Sequence, residues 1–254
     1  MQLYDSHFHL IDPRFPLVPN HGYLPPSYDL EDYRTDMRPY TIRGGVIVSG
    51  SFQGYDQSYL LEALKVLGLN YRGVANIQPD CPDLELKQLD QAGVVGVRFN
   101  LKRGSKQQLE YMVPLARRLH DQYDWHTELY VASEHLPTLK PYLEQLPAFS
   151  IGHLGLTQKG LEHLYYWVER GARVKATGFS RVDFEPGPVL QQIHRINPEA
   201  LMFGTDLPGT RAPEPFSKAD MTLLMSHFPV SSDLDRILFR NAEQWYFNVK
   251  SGGS

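Results

Sequence analysis

The sequence has few of the features that mark secreted, membrane-bound or nucleic-acid-binding proteins. Its 254 residues include one cysteine, Cys81, so neither an internal disulfide nor a cysteine-rich zinc site can form. No apolar run approaches the roughly 18 residues of a membrane span, and the N-terminal segment is too polar for a signal peptide. With 25 basic residues against 29 acidic ones, the formal charge is −4, which argues against a nucleic-acid-binding face. These absences favour a cytoplasmic protein without a membrane or nucleic-acid partner.

Glycine-rich phosphate-binding loops are also missing. Neither G-x-G-x-x-G nor G-x-x-x-x-G-K-[ST] follows the first apolar run, which argues against an open, doubly wound nucleotide-binding sheet. The hydrophobic share of 42% and the charged share of 21% are ordinary for a folded protein. The length suits either one α/β barrel or two smaller domains.

Short apolar runs alternate with amphipathic stretches along the whole chain. The runs, read as candidate strands, are 2–7, 44–50, 71–78, 93–100, 125–131, 149–155, 172–178 and 200–206. Continuous apolar runs are typical of parallel strands buried on both faces. Eight alternations without a break in composition predict one α/β domain, a single (β/α)8 TIM barrel over residues 1–250. The tail, 251–254, is expected to be disordered.

Polar side chains that can carry chemistry stand at the ends of three of these runs. His7 and His9 are two residues apart on one strand, so their imidazoles point to the same face. His153 ends the sixth run between glycines, and Asp206 ends the eighth. Active sites of α/β barrels lie at the carboxyl ends of the strands, so these four side chains should meet. Each of these residues also has a purely structural interpretation. His7 and His9 would form a hydrogen-bonded pair, His153 would be a buried structural histidine, and Asp206 would be the N-cap of a helix.

A long proline-rich segment, 11–26, follows the first run. It is too long for an idle connection between a strand and a helix. On a barrel it would lie on the face that carries the active site, where His21 could touch a substrate.

The order of these motifs resembles the amidohydrolase superfamily. D-x-H-x-H in the first run, G-H-L-G in the sixth, G-T-D-L-P in the eighth and the closing I-L-F-R-N-A-E-Q-W-Y occur in the superfamily's order over essentially the whole chain. More closely, they resemble its lactonase branch, which includes the 2-pyrone-4,6-dicarboxylate hydrolases and the sugar-acid lactonases. The resemblance implies a hydrolase of carboxylic esters.

Metal binding is one property in which the sequence departs from the superfamily. Members often bind one or two divalent metals through the H-x-H pair, histidines on strands five and six, and a lysine carboxylate or glutamate on strand four. Here Arg98 stands on strand four, Tyr130 ends strand five, and His126 lies at the opposite, non-catalytic end of strand five. An arginine opposes a nearby cation, so catalysis without a metal is favoured. The alternative is one zinc or manganese ion on the three strand-end histidines and Asp206.

Basic and aromatic side chains are expected on the same face of the barrel. Arginine binds carboxylates through two hydrogen bonds, and lysine acts as a point charge. Cations near the strand ends therefore predict a small anionic substrate, with Lys175 among its contacts. By resemblance to the pyrone-dicarboxylate hydrolases, the substrate contacts are Arg98, Arg103, Arg181, Tyr23, Tyr130 and Ser51. Solvated surface charge is the alternative, above all for Arg103.

Together these residues predict hydrolysis of a carboxylate-bearing lactone or similar cyclic ester. Asp206 would act as general base on a water, while His7, His9 and His153 polarise the carbonyl oxygen. The alternatives are a metal-dependent decarboxylase or amide hydrolase of the same superfamily, and a carboxylate-binding barrel without catalysis. The sequence leaves the substrate open, and also whether the chain forms a homo-oligomer.

Overall fold

The computed structural model of the chain describes residues 1–102 and 107–248. One parallel sheet of eight strands follows the order of the chain. The strands are β1 (Gln2–Phe8), β2 (Thr41–Val48), β3 (Tyr71–Ala75), β4 (Val94–Asn100), β5 (His126–Tyr130), β6 (Phe149–Ile151), β7 (Arg173–Ala176) and β8 (Leu201–Phe203). Helices separate the strands, and the predicted (β/α)8 TIM barrel is confirmed.

The helices cover the outside of the sheet. They are α1 (Leu30–Met37), α2 (Ser58–Leu67), α3 (Asp83–Ala92), α4 (Gln107–Tyr123), α5 (Leu136–Leu143), α6 (Leu161–Glu169), α7 (Pro186–Ile196), α8 (Lys218–His227), α9 (Ser231–Asp235) and α10 (Asn241–Asn248). In α4 the apolar side chains of Met112, Ala116 and Leu119 recur at helical spacing, and all three are buried. The burial of this stripe holds α4 against the sheet.

The first and last strands meet through hydrogen bonds that nearly close the barrel. Ser6 Oγ donates to the Met202 carbonyl at 3.2 Å. Beyond the strands, the Asp206 N–H donates to the His7 carbonyl at 2.7 Å, and the His9 N–H donates to the Leu207 carbonyl at 2.8 Å. This closure places the segment after β8 beside the end of β1.

The last three strands are shorter than the sequence predicts. The predicted runs 149–155 and 200–206 end at Ile151 and Phe203 as strands. His153 and Asp206 lie beyond them with φ of 50° and 60°, in the left-handed region. A left-handed residue cannot continue a β-ladder, so both side chains stand on turns just past the sheet.

Several predictions on the ends and surroundings of the chain remain open. Within residues 1–102 and 107–248, no helix combines the length and the apolar character that crossing a membrane requires. The predicted tail, 251–254, and Arg103 lie outside the described residues. Cytoplasmic location and homo-oligomer formation stay predictions from the sequence.

Candidate active site

A polar cleft of about 470 Å³ opens at the carboxyl ends of the strands. Its walls come from the ends of β4 and β5 and from the loops that follow β1, β2, β6, β7 and β8. Eight residues predicted from the sequence line it: His9, Tyr23, Ser51, Arg98, Tyr130, His153, Arg181 and Asp206. The loops after different strands therefore bring most of the predicted site together, as expected for a barrel.

Four buried side chains, those of His7, His9, His153 and Asp206, converge at the base of this cleft. Nε2 of His9 lies 3.6 Å from Oδ1 of Asp206, and Nε2 of His7 lies 3.8 Å from the same oxygen. The imidazole of His153 packs against His7 with ring centroids 5.0 Å apart. Among the described residues, Oδ1 of Asp206 and both ring nitrogens of His7 meet no hydrogen-bond partner at good geometry, although Nδ1 of His7 lies 3.3 Å from Oε1 of Glu128. Such buried, unpartnered polar atoms are rare and indicate a place for a ligand or water.

The main chain determines which nitrogen of His9 carries the proton. Nδ1 of His9 lies 2.6 Å from the carbonyl oxygen of Val48. Because a carbonyl oxygen can only accept, Nδ1 donates, and in the form of the ring with one proton the Nε2 lone pair faces Asp206.

Asp206 is held ionised by its surroundings. Arg181 Nε donates to its Oδ2 at 2.5 Å, and Arg181 Nη2 donates to the Thr210 carbonyl at 2.9 Å. Burial raises the pKa of Asp206, but the charged guanidinium of Arg181 counters burial, and the pKa lies well below the ordinary value. Burial also lowers the pKa of His153 well below its ordinary value, so its imidazole is neutral.

A second carboxylate fixes the turn that carries Asp206. Asp5 accepts hydrogen bonds from the Thr205 N–H at 2.8 Å and from Thr205 Oγ1 at 2.7 Å. Tyr33 donates its hydroxyl proton to Asp5 at 3.2 Å. Burial raises the pKa of Asp5 to about 6, although these hydrogen bonds counter the shift. The first acid of the D-x-H-x-H motif therefore joins β1 to the β8 turn.

Gly178, which the sequence analysis did not single out, lets the site groups approach one another. It has φ of +61°. A Cβ at this position would lie 2.8 Å from Nδ1 of His153, 2.9 Å from Cδ of Arg181 and 3.0 Å from Oδ2 of Asp206. Glycine is therefore required by both the backbone conformation and the space.

The predicted cations occupy different levels of the barrel. Arg98 lines the cleft, donates from Nη1 to the Ser49 carbonyl at 2.8 Å, and lies over the Tyr130 ring at 5.5 Å. Lys175 does not line the cleft, although the sequence analysis placed it among the substrate contacts. It is fully buried beneath the cleft, with Nζ 2.8 Å from Oε2 of Glu128. Lys175 was predicted as a substrate contact because it lies near the end of a strand. Its side chain points into the interior of the barrel and not into the cleft.

Two further groups at the site were missed. Glu128 lies in the middle of β5, where an acid within a buried run was a signal that went unused. Arg211 lines the cleft, donates to the Asn20 carbonyl at 2.5 Å, and lies 4.3 Å above the Tyr23 ring. Among the described residues, Arg211 has no carboxylate partner, which adds positive charge to the cleft.

The remaining predicted histidines lie away from the cleft. His126 is buried at the start of β5 with its ring 5.3 Å from that of Tyr246, which confirms its placement at the non-catalytic end. His21 is exposed on the proline-rich loop and does not line the cleft.

The donor atoms at the base of the cleft fit a divalent metal ion. Those of His7, His9 and Asp206 all lie within 4.8 Å of one another. Two imidazoles and a carboxylate are common ligands of zinc, and a third histidine, His153, stands nearby. Nε of Arg98, whose charge argued against a metal, lies 3.9 Å from Oε1 of Glu128. A His-His-Asp group could therefore hold a metal.

Comparison with known proteins assigns the family. A family model described as Amidohydrolase matches residues 4–247. The chain belongs to the amidohydrolase family. The 4-sulfomuconolactone hydrolase of Hydrogenophaga intermedia is 26% identical over 277 residues, covering 98% of this chain and 90% of the relative. The 2-pyrone-4,6-dicarboxylate hydrolase of Comamonas testosteroni is 27% identical over 241 residues, covering 80% of this chain and 76% of the relative.

Solved structures have the same fold as this amidohydrolase. A Pseudomonas putida protein described as a candidate 2-pyrone-4,6-dicarboxylic acid hydrolase superposes with a TM-score of 0.82 at 25% identity, covering 98% of both chains. A Bifidobacterium longum amidohydrolase superposes with a TM-score of 0.72 over 97% of this chain and 98% of its own. At 18% identity, the second likeness shows the fold alone.

Proposed function

We propose that this amidohydrolase hydrolyses a lactone or similar cyclic ester that carries a carboxylate. The proposal rests on one observation: Oδ1 of Asp206, which has no hydrogen-bond partner in the part of the chain that the structure describes, lies at the base of a cleft walled by Arg98, Arg181 and Arg211. A carboxylate with a free oxygen can take a proton from water, and the arginines can bind an anion beside it. The relatives named as lactone hydrolases support the same reaction class.

In the proposed reaction, the water oxygen adds to the ester carbonyl carbon and one water proton passes to Asp206. The ring C–O bond then breaks, and the leaving oxygen takes up the proton that Asp206 received, which gives the hydroxy acid and leaves Asp206 ionised again. Arg98 and Arg181 hold the substrate carboxylate, so binding energy away from the ester orients the reacting carbonyl. Tyr23, Tyr130 and Ser51 complete the walls around the substrate.

His153 is the best-placed donor to the carbonyl oxygen. Its imidazole lines the cleft, and its Nδ1 is buried without a hydrogen-bond partner among the described residues. A neutral His153 with the proton on the nitrogen that faces the cleft would donate to the developing oxyanion. His9 is a poorer donor, because its proton lies on Nδ1 and faces the Val48 carbonyl. The role predicted for the three histidines together therefore falls mainly to His153.

A metal-dependent hydrolase of the same family is the second candidate. Nε2 of His9 and Oδ1 of Asp206 both present lone pairs, with Nε2 of His7 beside them, and this arrangement suits a cation. A metal bound there would act as a Lewis acid and lower the pKa of a bound water. Catalysis without a metal, favoured by the sequence, stays a prediction that metal analysis decides.

The deciding experiment is a pH-indicator screen of the purified protein against sugar-acid lactones and pyrone carboxylates. Metal content is measured on the same sample, and turnover is repeated after chelation. We expect acid release from at least one carboxylate-bearing lactone, unchanged by chelation if no metal takes part. A stoichiometric metal whose removal abolishes turnover would establish the second candidate. Tight lactone binding without turnover would contradict both.

A further inference from the structure

A buried ion pair lies directly beneath the proposed active site. Nζ of Lys175, on β7, is 2.8 Å from Oε2 of Glu128, on β5, and at most 1% of either side chain is exposed. Lys175 also donates to the Ser6 carbonyl, one residue before His7. The pair spans the interior of the barrel and reaches the strand that carries the two site histidines.

Stability alone does not account for such a pair. Removing two charges from water costs several kcal/mol per ion, and apolar residues of the same volume often stabilise a fold equally well. Each oxygen of Glu128 has a separate neighbour. Oε2 faces Lys175, while Oε1 lies 3.3 Å from Nδ1 of His7 and 3.9 Å from Nε of Arg98.

His9 and His7 are oriented in the same way, each with Nδ1 directed at an acceptor and Nε2 directed at Asp206. Nδ1 of His9 donates to the Val48 carbonyl, and its Nε2 faces Asp206. In His7, Nδ1 faces Oε1 of Glu128, and Nε2 faces Oδ1 of Asp206, the oxygen that Nε2 of His9 also faces. An ionised carboxylate can only accept a hydrogen bond, so it selects the ring form with the proton on Nδ1.

We propose that Glu128 is a positioning residue: it accepts the Nδ1 proton of His7 and so turns the lone pair of His7 Nε2 toward Asp206. Lys175 holds the carboxylate in place and balances its charge. The base of the cleft then presents lone pairs from His7, His9 and Asp206 with no proton among them. It accepts a group that brings positive charge or protons, which is either a cation or the hydrolytic water.

The ring form of His7 is measured directly by ¹⁵N NMR of protein labelled at histidine. The His7 signals are assigned by their loss in His7→Asn, and protonated and unprotonated ring nitrogens resonate at well-separated frequencies. We expect a neutral ring with the proton on Nδ1. A proton on Nε2 in the unmodified protein would overturn the proposal, whatever the behaviour of any variant.

Two matched double variants test whether Glu128 is the cause. Both replace Lys175 by Met, so neither leaves an unpaired buried charge. In Glu128→Gln/Lys175→Met, the amide oxygen still accepts from His7, and the proton should stay on Nδ1. In Glu128→Leu/Lys175→Met, no acceptor remains on this residue, and the proton should move to Nε2, where Asp206 accepts it. The same ring form in both variants would show that Glu128 does not set it.

The proposal deepens the proposed function, since it concerns a histidine of the same site. Its test needs no substrate, so failure of the lactone screen and failure of the ring-form measurement are separate results. Circular dichroism and thermal unfolding show whether each variant folds. If Glu128→Leu/Lys175→Met does not fold, the unmodified protein and the Gln variant still decide the ring form.

Discussion

Lys175 and Glu128 form an ion pair inside the barrel, with Nζ and Oε2 2.8 Å apart and both side chains shielded from solvent. Burial lowers the pKa of Lys175, although the nearby carboxylate counters the shift, so the ammonium depends on its partner. We expect Lys175→Met to lower the free energy of unfolding by about 3–5 kcal/mol, because Glu128 is left buried and unpaired. Urea unfolding of the purified variants measures this.

The control for that prediction is an ion pair whose cation lies on the same strand, β7. Arg173 Nη2 lies 3.1 Å from Oε2 of Glu199, whose side chain is 46% exposed. Arg173→Met should lower the free energy of unfolding by about 1 kcal/mol or less, since water compensates the remaining acid. If Glu128→Leu/Lys175→Met loses as much stability as Lys175→Met alone, the unpaired charge is not the cause.

Asp206→Asn should reduce kcat by about 10²–10⁴-fold and leave KM nearly unchanged. The amide cannot take a proton from water, but it keeps the shape of the side chain. Asparagine also tolerates the left-handed backbone at this position, where φ is 60°. Steady-state kinetics on the substrate found in the screen measure both constants. Asp12→Asn, an aspartate paired with Arg14 outside the cleft, is the control, and near-normal turnover by Asp206→Asn would refute the general-base role.

Arg181→Gln should move the acidic limb of the pH–activity profile to higher pH. The guanidinium is one of the groups that hold the pKa of Asp206 low, so its loss lets that pKa rise. The carboxylate, which is the active form, is then lost sooner as the pH falls. Arg181→Lys keeps the charge and should shift the limb less. An acidic limb at the same pH in both variants would mean that another group sets it.

The sequence predicted the barrel and most of the residues that line the cleft, because both depend on patterns visible along the chain. Apolar runs mark buried parallel strands, and polar residues at their ends fall on one rim whatever the loops do. His153 and Asp206 were located correctly at that rim, but their left-handed turns depend on contacts with Gly178 and β1 that no local pattern reveals.

Side-chain direction inside the barrel was the harder problem. Until its register is known, Lys175 is placed near the end of strand seven as a substrate-binding cation, and Glu128 is only an acid within an apolar run. Only the pairing of β5, β6 and β7 shows that both point inward and meet. Arg211 was missed for a related reason: it follows the eighth strand in an irregular loop, and its cleft position depends on contacts with Asn20 and Tyr23.

Gly178→Ala should reduce kcat by roughly 10²-fold, because the new methyl group displaces His153, Arg181 and Asp206 from one another. Gly171→Ala separates this effect from backbone strain. Gly171 also has positive φ, +93°, but a Cβ there meets nothing within 4 Å. Both variants should lose about 1 kcal/mol of stability, and only Gly178→Ala should lose activity. Equal activity in the two would show that the close approach at Gly178 is unimportant.

His126 should make the fold sensitive to mild acid. Burial lowers the pKa of His126 to about 3, against 6.5 for the free imidazole, and Lys175 adds to the shift while Glu128 opposes it. Between these two values the unfolded chain binds a proton that the folded protein excludes. The free energy of unfolding therefore falls as the pH drops below 6.5, by about 1.4 kcal/mol per pH unit for this one group.

His126→Leu removes the imidazole that binds this proton in the unfolded chain. It leaves the cleft unchanged, because the ring packs between Trp245 and Tyr246 at the opposite end of β5. Between pH 7 and pH 5 the unmodified protein should lose about 2 kcal/mol more stability than the variant. Urea unfolding at each pH measures the difference. Parallel curves for the two proteins would mean that His126 is protonated in the folded state, and that the charge is accommodated beside the aromatic rings.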